Sequence, residues 1–98
     1  MDLRGKIFAV DLDGTLCNEQ CWTPEEIAVS TVNHRIAEKV EEAFRHGFVV
    51  IYTARRDENI PVTLKWLRQN NIRYHAFSNI KIPADCYLDD KAINVNDI

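Results

Sequence analysis

Two pairs of aspartates, Asp11/Asp13 and Asp89/Asp90, each stand directly after a short apolar run, KIFAV at 6–10 and CYL at 86–88. Four carboxylates gathered in one small site repel each other unless a cation lies among them. The set is all-oxygen, with no nearby His or Cys, so the expected ion is hard. Mg2+ fits, because it typically takes one or two carboxylates and keeps water or phosphate oxygens as its other ligands. A third apolar run, FVVIY at 48–52, ends at Thr53. Its hydroxyl and the N–H groups that follow, with the fixed positive charge of Lys81, suit a phosphoryl group. Asp11 is then placed to attack phosphorus as a carboxylate nucleophile, giving an aspartyl-phosphate. Asp13, two residues on, is placed to protonate the leaving oxygen and later to activate water.

These residues act together only if the fold gathers them. The run at 6–10 closes on Asp11-Leu12-Asp13-Gly14, a turn signal, and reads as a strand. Apolar residues at Val32, Ile36, Val40, Ala43 and Phe44 make a helical stripe, predicting a helix over about 31–46 with Ser30 or Thr31 as N-cap and Gly47 as stop. FVVIY suits a parallel strand covered by helices on both faces. A second helix is expected from Ile60-Pro61 to Asn70-Asn71, then strands at 73–77 and 86–88. The order β-α-β-α-β-β predicts an α/β fold: a Rossmann-like three-layer sandwich around a mainly parallel sheet of four to five strands. In such sheets ligands bind beyond the carboxyl ends of the strands, where strand order reverses. Asp11/Asp13, Thr53 and Asp89/Asp90 all fall there. Residues 18–29 lack clear periodicity and are expected to form a loop or flap over the same edge.

The 98 residues bound the answer to a single domain, 1–98, with one core. Hydrophobic residues at 46% and charged residues at 28% describe a soluble globular chain and exclude a disordered one. The net charge of -3, from Lys+Arg 12 against Asp+Glu 15, lacks the basic excess of a protein held to nucleic acid by phosphate contacts. No apolar run is long enough to span a membrane and no signal-peptide pattern opens the chain, so a cytoplasmic location is expected. Cys17, Cys21 and Cys86 are an odd count without zinc-finger spacing and are expected to be reduced thiols. A calcium loop beginning at Asp11 would need an acidic residue where Trp22 stands. His34, His46 and His75 show no mutual spacing that suggests a site. Arg55 has two readings, a substrate contact or a structural ion pair. Trp22 has two as well, stacking on substrate or packing the flap down.

With those residues in place, the sequence resembles the haloacid dehalogenase (HAD) superfamily of phosphotransferases. The first motif of that family, D-x-D-G-T, is matched by Asp11-Leu12-Asp13-Gly14-Thr15, and the second by Thr53 in Ile51-Tyr52-Thr53-Ala54-Arg55. The third is matched by Lys81 and the fourth by Asp89-Asp90, so the resemblance runs over residues 6–95. It implies Asp11 as nucleophile and metal ligand, and Asp13 as acid/base with its backbone carbonyl on the metal. It further implies Thr53 on phosphate, Lys81 balancing charge, and Asp89 with Asp90 completing the Mg2+ site. Leu12, Thr53, Ala54, Arg55 and Lys81 make up the expected phosphate- and substrate-binding set.

Within the superfamily the text looks like the short capless members, including those of bacterial capsule and polysaccharide biosynthesis, through its T-A-R and K-x-P-A-D-x-x-x-D-D patterns. Neither family insertion point, after Asp13 or after Thr53, has room for a cap domain. The resemblance therefore implies a minimal HAD core, with specificity drawn from the flap, from Arg55 and Arg56, or from a second copy of the chain supplying the missing cap. The expected activity is an Mg2+-dependent phosphohydrolase acting on a small phosphorylated metabolite, a phospho-sugar in the first instance. The alternatives are a nucleic-acid 3′-phosphatase, which shares the motifs, a receiver-like phospho-acceptor module, and a catalytically weak subunit that works only in an assembly. The receiver-like reading needs its accepting Asp after a middle strand, where this chain has Thr53.

Overall fold

The computed structural model describes residues 4–80, 84–88 and 93–95. The chain is of the α/β class: β1 (Ile7–Asp11), α1 (Pro24–Val29), α2 (His34–His46), β2 (Phe48–Tyr52), a 3-10 turn at Asp57–Asn59, α3 (Ile60–Gln69), β3 (Ala76–Ser78), β4 (Cys86–Leu88) and β5 (Ile93–Val95). The strands form one sheet in the order β3-β2-β1-β4-β5. Pairing is parallel from β3 to β4 and antiparallel between β4 and β5. The chain steps outward from β1 through β2 to β3, then crosses back to lay β4 on the other side of β1. That places the reversal between β1 and β4.

The two outward steps go in the same direction, so right-handed crossovers put α2 and α3 on the same face of the sheet. Strand alternation agrees: Phe8 and Val10 of β1 and Val49 and Ile51 of β2 are buried in one cluster with Ile27 of α1, Ile36, Val40 and Ala43 of α2, and Trp66 and Leu67 of α3. Ala9 and Val50, buried as well, point to the other face. A helical layer on that second face, as the sandwich expectation required, has no counterpart among the described residues. The segment between Ser78 and Cys86 is shorter than the dozen or so residues a helical crossover takes. Asp85 fastens the start of β4 to β1, its N–H donating to the Ile7 carbonyl at 2.9 Å and its carboxylate accepting from the Ile7 N–H at 2.6 Å.

Helix α1 lies inside the segment expected to be a loop. Thr23 and Glu26 form a reciprocal capping box and Pro24 occupies the first turn, the combination that nucleates so short a helix. Trp66 ties it to α3, its ring N–H donating to the Ser30 carbonyl at 3.1 Å. Helix α2 starts later than the periodicity implies. Val32 bridges to Cys17 in extended conformation, so Asn33 becomes the N-cap and accepts from the Arg35 and Ile36 N–H groups. The β3 ladder begins at Ala76 rather than at 73, because Arg73 turns away to pair with Glu41 and to lie over the Phe44 ring. Among the described residues, no helix is long and apolar enough to cross a membrane.

Candidate active site

The site begins where β1 ends. After Asp11 the chain folds back at once: the Thr15 and Cys17 N–H groups donate to the Leu12 carbonyl at 3.0 and 2.8 Å, and the Leu16 N–H to the Asp11 carbonyl at 3.4 Å. Gly14 sits at φ 76, in the left-handed region, where a side chain costs about 1–2 kcal/mol. Only glycine takes that turn without strain. Leu12 and Leu16 are anchored in the core, so Asp11 and Asp13 are held on either side of a buried apolar residue. The Leu12 N–H, expected on a phosphoryl group, donates to the Asp11 Oδ1 at 2.8 Å.

Thr53 follows β2 beside this turn, one position beyond the Asp11–Tyr52 register pair. It is fully buried. Its N–H donates to the Ser78 carbonyl at 3.1 Å and its Oγ1 accepts from the Arg55 N–H at 3.1 Å, so the hydroxyl shapes the turn that carries Arg55. Ala54 is exposed. Of the remaining expected site residues, Lys81, Asp89 and Asp90 lie outside the described residues. The Val10–Leu88 register does bring the end of β4 to the level of Asp11.

Of the two readings of Arg55, the ion pair is present in the structure. Its guanidinium forks onto Asp13, Nε to Oδ2 at 3.1 Å and Nη2 to Oδ1 at 2.6 Å, while Nη1 donates to the Thr63 Oγ1 at 3.0 Å. The Arg55 side chain is 2% exposed and that of Asp13 is 13% exposed. Burial pulls the Arg55 guanidinium down, but hydrogen bonding to and attraction by Asp13 outweigh it and leave Arg55 above its ordinary value. All three guanidinium nitrogens are thus engaged within the protein. Thr63 passes the connection on, donating to the Asn59 carbonyl at 2.7 Å, and Asn59 Nδ2 donates to the Trp22 carbonyl at 3.3 Å. The Cys21 N–H closes the circuit onto the Asp13 Oδ1 at 3.2 Å.

The segment 18–29, expected to form a loop or flap, is bonded to Asp13 through the Cys21 N–H, and Trp22 does not pack it down. The indole is 74% exposed. Between the flap and the segment 54–59 lies a cavity of about 490 Å3 that Asp13 lines. Two buried polar atoms in this region have no hydrogen-bond partner, Thr15 Oγ1 and Asn59 Oδ1. The sequence reading missed Thr63 and Asn59, and nothing local in their spacing marks them.

Contrary to the expectation that no Cys lies near the carboxylates, Asp13, Cys17 and Cys21 bring three potential metal-ligating atoms within 4.8 Å of one another. The carboxylate there is already forked by Arg55, and burial, reinforced by Cys17, pushes the Cys21 thiol up to about 11. A protonated thiol and a carboxylate committed to arginine are poor donors for a soft ion, which binds thiolates. For a hard ion the arrangement fits differently: Asp11 stands at the strand reversal, and Asp13, with both carboxylate oxygens on Arg55, has its backbone carbonyl to offer.

No protein-family model matches the chain, and no curated protein matches it. Among solved structures, the chain is similar to one in the structure of the Pnkp1/Rnl/Hen1 RNA repair complex, with a TM-score of 0.67 at 20% identity over 76% of this chain and 25% of that one. A chain in a second structure of the Pnkp1/Rnl/Hen1 complex matches at the same TM-score and identity, over 27% of its length. The protein thus spans about a quarter of the chains whose fold it shares.

Proposed function

We propose that the protein is an Mg2+-dependent phosphohydrolase of the HAD type, built on a minimal Rossmann-like core without a cap, with Asp11 as nucleophile and Asp13 as acid/base. The observation that carries this reading is the turn at 11–17. It sets two aspartates at the carboxyl end of β1, beside the strand reversal and next to Thr53, with Asp13 facing a cavity and oriented by Arg55. Asp11 forms the aspartyl-phosphate as the P–O bond to the leaving group breaks. Asp13, after taking a proton from solvent and releasing one oxygen from Arg55, gives that proton to the leaving oxygen, then takes one from the water that hydrolyses the acyl phosphate. Asp11, the Asp13 carbonyl, Asp89 and Asp90 would hold Mg2+, which would neutralise the phosphoryl charge. Thr53 and Lys81 complete the phosphate cradle.

For the substrate, the likeness to chains of an RNA repair complex favours a 3′-phosphorylated nucleic-acid end over a phospho-sugar. In this reading the positive charge that the acidic chain lacks comes from a partner protein. The test is inorganic phosphate release from 3′-phosphorylated oligonucleotides and sugar phosphates, with and without Mg2+. Release that needs Mg2+ and disappears in Asp11→Asn supports the mechanism, with the preferred substrate deciding between the two classes. Release that persists in Asp11→Asn refutes it.

A further inference from the structure

The cavity beside Asp13 has features that the transfer of phosphate alone does not use. Its walls include Trp22 from the flap and Arg56 and Asn59 from the segment after β2. Trp22 is 74% exposed and presents a large aromatic side chain at the cavity wall. It is also held in place: its N–H donates to the Glu26 Oε1 at 2.9 Å and its carbonyl accepts from Asn59 Nδ2 at 3.3 Å, so the backbone on both sides of the indole is fixed. Asn59, 3% exposed, lines the same wall, and its Oδ1 is buried without a partner. A buried acceptor without a donor costs free energy that a ligand or water donor recovers. The volume, about 490 Å3, lies in the range of small-ligand sites, about 300–1,000 Å3.

We propose that this cavity is the leaving-group subsite, in which the Trp22 indole stacks on a ring of the group released from phosphate and Asn59 Oδ1 takes a hydrogen bond from it. The inference rests on the phosphohydrolase reading, since it is the role of Asp13 at the leaving oxygen that directs the released group into this space. The shared chemistry is a ring face that an indole can cover, with hydrogen-bond donors at its edge: the flat π-face of a nucleobase or the C–H face of a pyranose chair. Arg56, exposed at the rim, adds a positive charge for a second anionic group. The flap then does what a cap would do, using an aromatic platform held rigid by its own hydrogen bonds.

The experiment compares the wild-type chain with Trp22→Ala and Trp22→Phe on three probes: a nucleoside 3′-monophosphate, a hexose phosphate and the ring-free glycerol phosphate. Stacking of a base on an aromatic side chain corresponds to roughly a tenfold effect or more. Trp22→Ala is expected to raise KM by about that factor for the ring-bearing probe that the protein uses and to raise the KM for glycerol phosphate much less, with most of the loss recovered in Trp22→Phe. Quenching of Trp22 fluorescence by the same probes in Asp11→Asn reads binding without turnover; Trp66, 2% exposed, supplies the background. An effect on the nucleotide alone identifies a nucleobase, and an effect on the hexose phosphate alone identifies a sugar. Quenching without any phosphate release keeps the subsite and refutes the reaction. Unchanged KM values for both ring-bearing probes, an equal rise for glycerol phosphate, or absence of quenching overturns the subsite.

Discussion

Replacing Arg55 separates its two conceivable roles. In the structure it gives two hydrogen bonds to Asp13 and one to Thr63, from a side chain that is 2% exposed. Arg55→Ala removes all three and leaves the Asp13 carboxylate in a partly buried position with the Cys21 N–H still donating to it. Breaking a buried ion pair from one side costs about 3–5 kcal/mol. Asp13 keeps an exposed edge, 13% of its side chain, through which water reaches it, so the lower end of that range applies, about 3 kcal/mol. Against a total stability of about 5–15 kcal/mol this is a large share. Arg55→Lys keeps the charge but not the fork and gives up the Thr63 bond. Two neutralised hydrogen bonds at about 1 kcal/mol each set its cost at roughly 2 kcal/mol.

The assay is urea unfolding of the three proteins, read at the midpoint with the slope held common, alongside steady-state phosphate release. Arg55→Ala is expected to lose more stability than Arg55→Lys, and in both kcat should fall while KM changes little, because the acid/base group is misaligned and such a group contributes about 10²–10⁴-fold. A substrate contact would give the opposite signature, a raised KM with an unmoved midpoint. Arg55→Ala unfolding within about 0.5 kcal/mol of the wild type would refute the scaffolding role, since that is the spread of neutral surface substitutions.

Glu41 accepts from Arg73 and Arg45, and hydrogen bonding to Arg73, first, holds its carboxyl at about 2 against an ordinary 4.5. The native state therefore takes up that proton less readily than the unfolded chain, so the contribution of the pair is complete above about pH 4.5 and is lost as pH falls toward about 2. The difference in urea midpoint between wild type and Glu41→Gln should be constant above that window and close within it; a difference that ignores pH across the window would remove the pair from the stability of the fold. Cys17 and Cys21 are buried, and the Cys21 thiol is pushed up to about 11 by burial and by Cys17. Iodoacetamide should leave both unlabelled in the native protein at neutral pH and label them on unfolding, read by peptide mass; rapid native labelling at Cys21 would contradict its burial.

Much of the scaffold was legible because its elements carry strong local signals. The apolar runs at 6–10, 48–52 and 86–88 are bounded by turn residues, and α3 opens on Ile60-Pro61, so their positions follow from periodicity and punctuation. Helix α1 had a signal too, Thr23-Pro24-Glu25-Glu26, a capping box with proline in the first turn, but six residues are too few for a hydrophobic period to show. The placing of every described helix on one face was not legible in FVVIY. Val49 and Ile51 face the helices and Val50 the opposite side, yet all three are buried, so the run reads the same whichever face the helices cover. The Asp13–Arg55 pair spans 42 positions, and no local pattern announces a contact of that separation. The position of Asp13 after β1 is readable from the sequence; its restraint by Arg55, Thr63 and Asn59 emerges only from the packing.

That restraint gives the flap a second role. Cys21 and Trp22 are adjacent, and they are joined to Asp13 by two different routes, one a direct N–H bond and the other running through Arg55, Thr63 and Asn59. The two routes form a closed ring of polar contacts around the cavity mouth. In such a network the loss of one bond weakens the alignment of the rest. On the phosphohydrolase reading, the element that contacts the leaving group is thereby the same element that orients the group protonating it. A cap domain performs these tasks with an inserted fold; here a six-residue helix and the loop before it serve, because Asn59 and Thr63 at the start of α3 brace them from beneath. Substitutions at Asn59 or Thr63 should consequently be felt at Asp13 although neither residue touches it directly.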